Sequence, residues 1–310
     1  MKPIKVAMIG VGNCASSLVQ GVAYYRQNNS SQGLIHDKIG GYGAGDVDFV
    51  LGIDVDARKV GKDIAEAIFA QPNNTKVFHQ DVPMTGNKVI MGLISDGVAP
   101  HMTTVGEKGF IVSDAAEATR ESIVKAIKDS GAEVLINFLP VGSQLATEFY
   151  MECALEAGVA VVNCMPVFIA SRPEWEKRFR DANLPIVGDD IKAQVGATIV
   201  HRVLSSLFAA RGVTVERTYQ LNTGGNTDFR TCSIVSGSAP RRNRRPKRFR
   251  QCWPSAWPMK TSTSARRTMC HGKRTTSCAS CASKGCSGAM SRWNWNCACR
   301  LKTARTLQPA

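Results

Sequence analysis

The sequence predicts an α/β fold, a Rossmann-like doubly wound parallel sheet, over residues 1–229. Three observations carry this. Lys5-Val6-Ala7-Met8-Ile9-Gly10-Val11-Gly12-Asn13-Cys14-Ala15-Ser16-Ser17-Leu18 passes from an apolar run, through two glycines one residue apart, into small residues at helical spacing. A second apolar run, Phe49-Val50-Leu51-Gly52-Ile53, ends in Asp54. Beyond it, short apolar runs alternate with helical patterns, as parallel strands covered on both faces require.

Taken in order, the first element ends where glycine is useful. Gly10 and Gly12 let the backbone approach a pyrophosphate, and the unpaired N–H groups of the first helical turn favour negative charge. Ala15 holds the third place of the G-x-G-x-x-G/A fingerprint, where a small residue lets helix and strand pack closely. Gly-x-Gly also occurs in ordinary strand-to-helix turns, so the second strand matters. An acidic residue at its end binds the ribose hydroxyls, and Asp54 stands there; its plainer role is to cap the next helix. The separation exceeds the usual ~20 residues, so residues 26–46, rich in Asn, Ser and Gly, read as an inserted loop.

A helical pattern covers 57–69, Gln71-Pro72-Asn73-Asn74-Thr75 reads as a turn, and 76–110 reads as irregular. A helix over 115–130 leads to a strand at 133–139. Pro140-Val141-Gly142-Ser143 closes that strand at the carboxyl edge of the sheet, where doubly wound proteins bind ligands. Helix 144–157, strand 159–163, helix 173–182 and a short strand at 185–187 follow. Gly188-Asp189-Asp190-Ile191-Lys192-Ala193 then opens a helix running to 211. Carboxylates at a helix start serve as N-caps, while Lys192 in a polar turn suits an anionic ligand. A strand at 214–221 enters the loop Asn222-Thr223-Gly224-Gly225-Asn226-Thr227-Asp228-Phe229, which suits a plain turn and a binding loop equally.

The formal charge of +14 would suggest a nucleic-acid partner, but it is not spread evenly. Residues 1–229 hold 21 Lys and Arg against all 25 Asp and Glu, whereas residues 230–310 hold 18 Lys and Arg and no carboxylate. Eight of the eleven cysteines and four of the five tryptophans also fall after Arg230. A basic nucleic-acid arm explains the arginines but not the cysteines and tryptophans. A zinc site could use Cys278, Cys281, Cys286, Cys297 and Cys299, but no second C-x-x-C pair stands at ribbon spacing. The third reading is a coding sequence read out of frame. One nucleotide upstream, with permitted wobble bases, residues 259–271 become D-E-N-I-H-I-G-P-S-D-Y-V-P-W and residues 290–309 become D-V-P-M-E-L-E-L-R-L-S-V-E-D-S-P-N-S-A. Both have the mixed charge and patterning of a folded domain. The expectation is therefore a native segment ending at Phe229 and a largely disordered tail over 230–310. Neither a signal peptide nor a membrane-length apolar run is present, which predicts a cytoplasmic protein with no membrane partner.

Four motifs together carry a specific resemblance: Gly-Val-Gly-Asn-Cys-Ala-Ser-Ser-Leu at 10–18, Leu-Pro-Val-Gly-Ser at 139–143, Gly-Asp-Asp-Ile-Lys at 188–192 and Gly-Gly-Asn-Thr-Asp-Phe at 224–229. They resemble the short bacterial myo-inositol-1-phosphate synthases, as do the out-of-frame peptides G-P-S-D-Y-V-P-W and D-S-P-N-S-A. The resemblance implies an NAD-binding domain over 1–212, the start of a catalytic and oligomerisation domain of α+β type over 213–229, and disruption of that domain beyond. It also implies NAD-dependent conversion of D-glucose 6-phosphate to 1D-myo-inositol 3-phosphate, in relatives that form homotetramers.

Carried over by position, Gly10, Gly12, Asn13 and Cys14 line the pyrophosphate. Asp54, Asp63, Ser130, Pro140, Gly142, Ser143 and Tyr150 belong with the cofactor, as does Ala193, where relatives often have Ser. Asp190, Lys192, Asn226 and Asp228 face the nicotinamide, sugar or metal, and Asp228 is the candidate ligand for a divalent cation. The family's later lysine positions fall at Arg241 and Arg245, which match only in charge. The rival functions are an NAD(P)-dependent dehydrogenase or reductase on the same fold, and an inactive NAD-binding fragment with a basic tail.

Overall fold

The computed structural model describes residues 2–103, 106, 109–190, 196–212 and 214–224, and strands at 265–269, 276–286 and 292–302; from residue 214 onward it describes the backbone alone. The chain divides into two compact units, with the boundary between Ile191 and Lys192.

The first unit opens with β1 (Ile4–Ile9) and α1 (Asn13–Asn28), as the apolar run and small-residue helix predict. The inserted loop carries a minimal hairpin, β2 (Lys38–Ile39) against β3 (Tyr42–Gly43), before β4 (Val47–Asp54). The pattern at 57–69 yields only α2 (Ile64–Ala67), because Gly61 has φ +86° and the Asp63 side chain caps the helix directly before Ile64. The stretch expected to be irregular contains β5 (Val89–Met91), a 3-10 turn (Ser95–Gly97) and α3 (Pro100–Thr103). Three apolar residues between Gly86 and Gly92 are too few to show a period. Then come α4 (Arg120–Ser130), β6 (Val134–Asn137), α5 (Gln144–Ala157), β7 (Ala160–Asn163), α6 (Pro173–Asp181) and β8 (Ile186–Val187). The α4 helix starts later than position 115 because the Thr119 hydroxyl caps it, accepting from the Ser122 amide at 3.3 Å.

The sheet order is β5-β4-β1-β6-β7-β8, and every adjacent pair is parallel. The chain therefore travels outward from β1 to β4 and β5, then returns to lay β6 on the other side of β1. That reversal opens a crevice at the carboxyl ends of β1 and β6. Apolar clusters line both faces. One joins Ile9, Ile53, Leu135 and Val161 to Ile123 and Ile127 of α4 and Met151 of α5; the other joins Met8 and Phe49 to Ala15 and Val19 of α1. Ala15 is fully buried there, the place where the fingerprint needs a small residue.

The second unit contains α7 (Ala197–Ala210) and β9 (Thr214–Gly224). In sheet order β10-β9-β11-β12, β9 pairs with β10 (Ala265–Met269) and β11 (Thr276–Cys286), and β11 with β12 (Arg292–Lys302). The last three strands lie in the segment expected to lack regular structure. A two-residue alternation, Trp293-Asn294-Trp295-Asn296-Cys297-Ala298-Cys299, stands in β12. Among the described residues no helix is long and apolar enough to cross a membrane.

Candidate functional site

The site is built from the loops that leave the carboxyl ends of the parallel strands. Gly10 leaves β1 with φ +83°, and a Cβ there would lie 2.9 Å from the Phe138 carbonyl oxygen. Only glycine lets the first loop press against the loop after β6. Gly12 differs. Its backbone is extended (φ −92°, ψ −158°), and no atom lies within 4 Å of where its Cβ would be. It opens α1 without a side-chain cap, and no acidic residue occupies the first turn. At α5, by contrast, Asp96 takes the Leu145 and Ala146 amides at 2.8 Å each. The α1 start thus offers an anion the positive end of the helix and open space over Gly12.

Asn13 anchors the turn to the 73–75 segment. Its side-chain oxygen accepts from the backbone amides of Asn74 (2.8 Å) and Thr75 (3.0 Å). Cys14, in the first turn of α1, is half-buried and forms no disulfide. Asp54 reaches back from β4: its Oδ2 accepts from the Val11 amide at 2.7 Å, and its Oδ1 from the amides of Val55 (2.7 Å) and Asp56 (2.9 Å). The buried Lys59 ammonium lies 3.6 Å from Oδ2.

On the β6 side, Pro140, Gly142 and Ser143 form the opposite wall. Gly142 has φ +104°, and the Ser143 hydroxyl donates to the Pro140 carbonyl at 2.8 Å. Behind this wall a buried polar chain crosses three strands. The Thr147 hydroxyl donates to the Ser143 carbonyl (2.6 Å), and the Asn137 amide donates to Thr147 Oγ1 (3.3 Å) and Asn163 Oδ1 (3.0 Å). Asn163 in turn donates to Asp189 Oδ1 at 2.7 Å. Asp189 accepts further from the amides of Ile169, Ala170 and Ser171 and from the Ser171 hydroxyl. It is a buried knot joining the loops after β7 and β8. Asp190 follows with φ +63°, its amide donating to the Met165 carbonyl at 3.0 Å.

Neither Asp189 nor Asp190 caps the following helix, since α7 begins at Ala197 behind Gly196. Asp63 caps α2 through Ala65 and accepts from the Thr85 hydroxyl, so its carboxylate is spent on α2 and the segment before β5. Ser130 ends α4, donating to the Ile127 carbonyl, before β6 begins; it lies at the amino end of the sheet, away from the glycine turn. Tyr150 is buried in the core on α5, where its hydroxyl accepts from the Leu93 amide at 2.8 Å and burial raises its pKa. Lys192, Ala193, Asn226 and Asp228 lie outside the described residues. Among the described residues no group of three or more His, Cys, Asp or Glu could hold a metal ion. Sequence reasoning missed Lys59, Asn73, Asn163 and Asp189. Asp189 and Asn73 stood in stretches read as cap and turn, and nothing local marked Lys59 as buried.

The family model described as myo-inositol-1-phosphate synthase matches residues 196–241. Inositol-3-phosphate synthase of Mycolicibacterium smegmatis is 55% identical over 229 residues, which cover 73% of this chain and 61% of that protein. The crystal structure of Ari2 superposes with a TM-score of 0.76 at 29% identity, covering 97% of this chain and 82% of the other. A myo-inositol-1-phosphate synthase-related protein from Thermotoga maritima shares the fold, with a TM-score of 0.68 at 20% identity and the same two coverages. The chain spans about three fifths of the length of the curated relative it matches. Over the 229 residues it shares with the M. smegmatis enzyme, the chain is similar to the inositol-3-phosphate synthases.

Proposed function

We propose that this chain carries the cofactor-binding part of an NAD-dependent inositol-3-phosphate synthase, the isomerase that converts D-glucose 6-phosphate to 1D-myo-inositol 3-phosphate. The observation that carries this is the uncapped start of α1, with open space over Gly12, facing the 138–143 loop across the strand reversal. Backbone N–H groups at Gly12, Asn13 and Cys14 hold the pyrophosphate, and the wall of Pro140, Gly142 and Ser143 covers the dinucleotide. NAD, when bound, supplies the acceptor for a sugar hydride and gives the hydride back, so that no net NADH accumulates. Asp190, held at the end of β8 by the Asp189 knot, and Lys192, Asn226 and Asp228 beyond it are assigned to the sugar side. An ammonium such as that of Lys192 supplies a compact positive charge for a phosphate or a developing oxyanion. The Asp228 carboxylate is assigned to a divalent cation if the reaction uses one. The reading carries a cytoplasmic enzyme that works as a homotetramer.

We further propose that residues 230–310 are read in a shifted frame. The abrupt loss of carboxylates after Phe229 supports this, as does a match to the M. smegmatis enzyme over 229 residues. The chain as encoded then binds NAD and forms little inositol phosphate. The test compares it with a version in which one nucleotide restores the frame near codon 230. Restoration is expected to produce inositol phosphate from glucose 6-phosphate and catalytic NAD without net NADH. Equal turnover by the unaltered chain contradicts the shifted frame; stoichiometric NADH instead favours the rival dehydrogenase.

A further inference from the structure

Lys59 is the deepest lysine among the described residues, 1% exposed, and the proposed chemistry does not use it. Its ammonium stands 3.6 Å from Asp54 Oδ2 and donates to Asn73 Oδ1 at 3.0 Å. Asn73 donates to the Val11 carbonyl at 3.1 Å, and to the Ile68 carbonyl at 2.9 Å. The Val11 amide donates to Asp54 Oδ2 at 2.7 Å. These contacts close a ring: Asp54, Val11, Asn73, Lys59 and back to Asp54. The ring grips the residue between the two glycines by both of its backbone polar groups.

We infer that Lys59, Asn73 and Asp54 form a clamp that sets the glycine turn for the cofactor, and that Asp54 acts through Val11 rather than on the ribose. The inference rests on the NAD reading given above. Both Asp54 oxygens are already engaged, one by two backbone amides and the other by Val11 and the ammonium. Asp54 is 7% exposed, so its carboxylate has little open surface on which to take up a ribose hydroxyl. Burying either charge alone is costly, and the pair with its amide partners is what makes both tolerable there. Gly10 and Gly12 give this turn its freedom. The clamp removes that freedom at Val11, so the α1 amides are held in place before a ligand arrives.

The experiment uses the full chain and three variants: Lys59→Met, Asn73→Ala and Asp54→Asn. Asn73→Ala opens the ring without leaving a carboxylate unpaired, and so serves if Lys59→Met does not fold. The first readout needs no cofactor. Amide hydrogen exchange at Val11 should quicken by about tenfold or more in Lys59→Met or Asn73→Ala, while amides in β6 and β7 change little. The second readout is calorimetry with NAD and with NAD lacking the adenosine 2′-hydroxyl. Opening the ring should weaken NAD binding about tenfold or more. Wild type should bind the two dinucleotides alike, and so should Asp54→Asn. Unchanged exchange at Val11, or exchange raised equally across the sheet, overturns the clamp. Strong preference for NAD in wild type, lost in Asp54→Asn, overturns it in favour of direct ribose binding. Absence of any NAD binding in wild type overturns the cofactor reading instead, and the exchange result still decides whether the clamp exists.

Discussion

At the scale of the residue, the two glycines of the first turn do different work, and the difference can be measured. Gly10 is bound by its positive φ and by the Phe138 carbonyl 2.9 Å from where a Cβ would sit. Gly10→Ala should therefore cost roughly 1–3 kcal/mol in folding before any ligand is considered. Gly12 has extended backbone and open space, so Gly12→Ala should leave stability within about 0.5 kcal/mol and act on ligand binding alone. Urea unfolding of both variants checks the contrast; equal losses would show that a side chain at position 12 is not accommodated in open space. Asp56 offers a test by pH. Burial raises the pKa of this carboxyl, but Arg58 outweighs it with hydrogen bonds of 2.8 and 2.6 Å and holds it below the ordinary value of 3.8. Stability from this group is fully present above pH 3.8 and is lost as pH falls through the lower folded value. The stability gap between wild type and Arg58→Met should be constant near neutrality and narrow below pH 3.8. A gap that widens in acid contradicts the assignment.

At the scale of the element, the strand ends are joined by polar chains as well as by the apolar core. Asn137, Asn163 and Asp189 are all buried and hydrogen-bonded in series across β6, β7 and the loop after β8. Replacing Asp189 by Leu leaves several buried donors unpaired and should cost about 3–5 kcal/mol. The loss should appear as a lower urea midpoint and fast exchange at Ile169 and Ala170. A loss below about 1 kcal/mol would show that these bonds are made equally well with water. None of this was legible in the sequence, because polar residues at strand ends look the same whether they face solvent or one another. The strands themselves were legible, since Ala7, Ile9, Ile53, Leu135 and Val161 are apolar runs facing one cluster. Elements shorter than a period escaped: β5 has three residues, and α2 shrank to four because Gly61 and Asp63 interrupt its pattern.

At the scale of the whole molecule, the chain joins a segment with the balance of an ordinary α/β domain to one without a single carboxylate. The glycine turn and the 139–143 loop pointed, from sequence alone, to the carboxyl ends of β1 and β6, and the sheet order places both loops there. What the sequence could not show was how Asp54 is used. A carboxylate at a strand end suits ribose binding and backbone bracing alike, and only the positions of Val11 and Lys59 separate the two.

The most direct test of the account is calorimetric titration of NAD into the full chain and into Gly12→Ala. The first should bind one NAD per chain. The second should bind NAD more weakly by about tenfold or more, at unchanged thermal stability. Failure of the unaltered chain to bind NAD, or equal binding by both proteins, would contradict the claim that the start of α1 is the cofactor site.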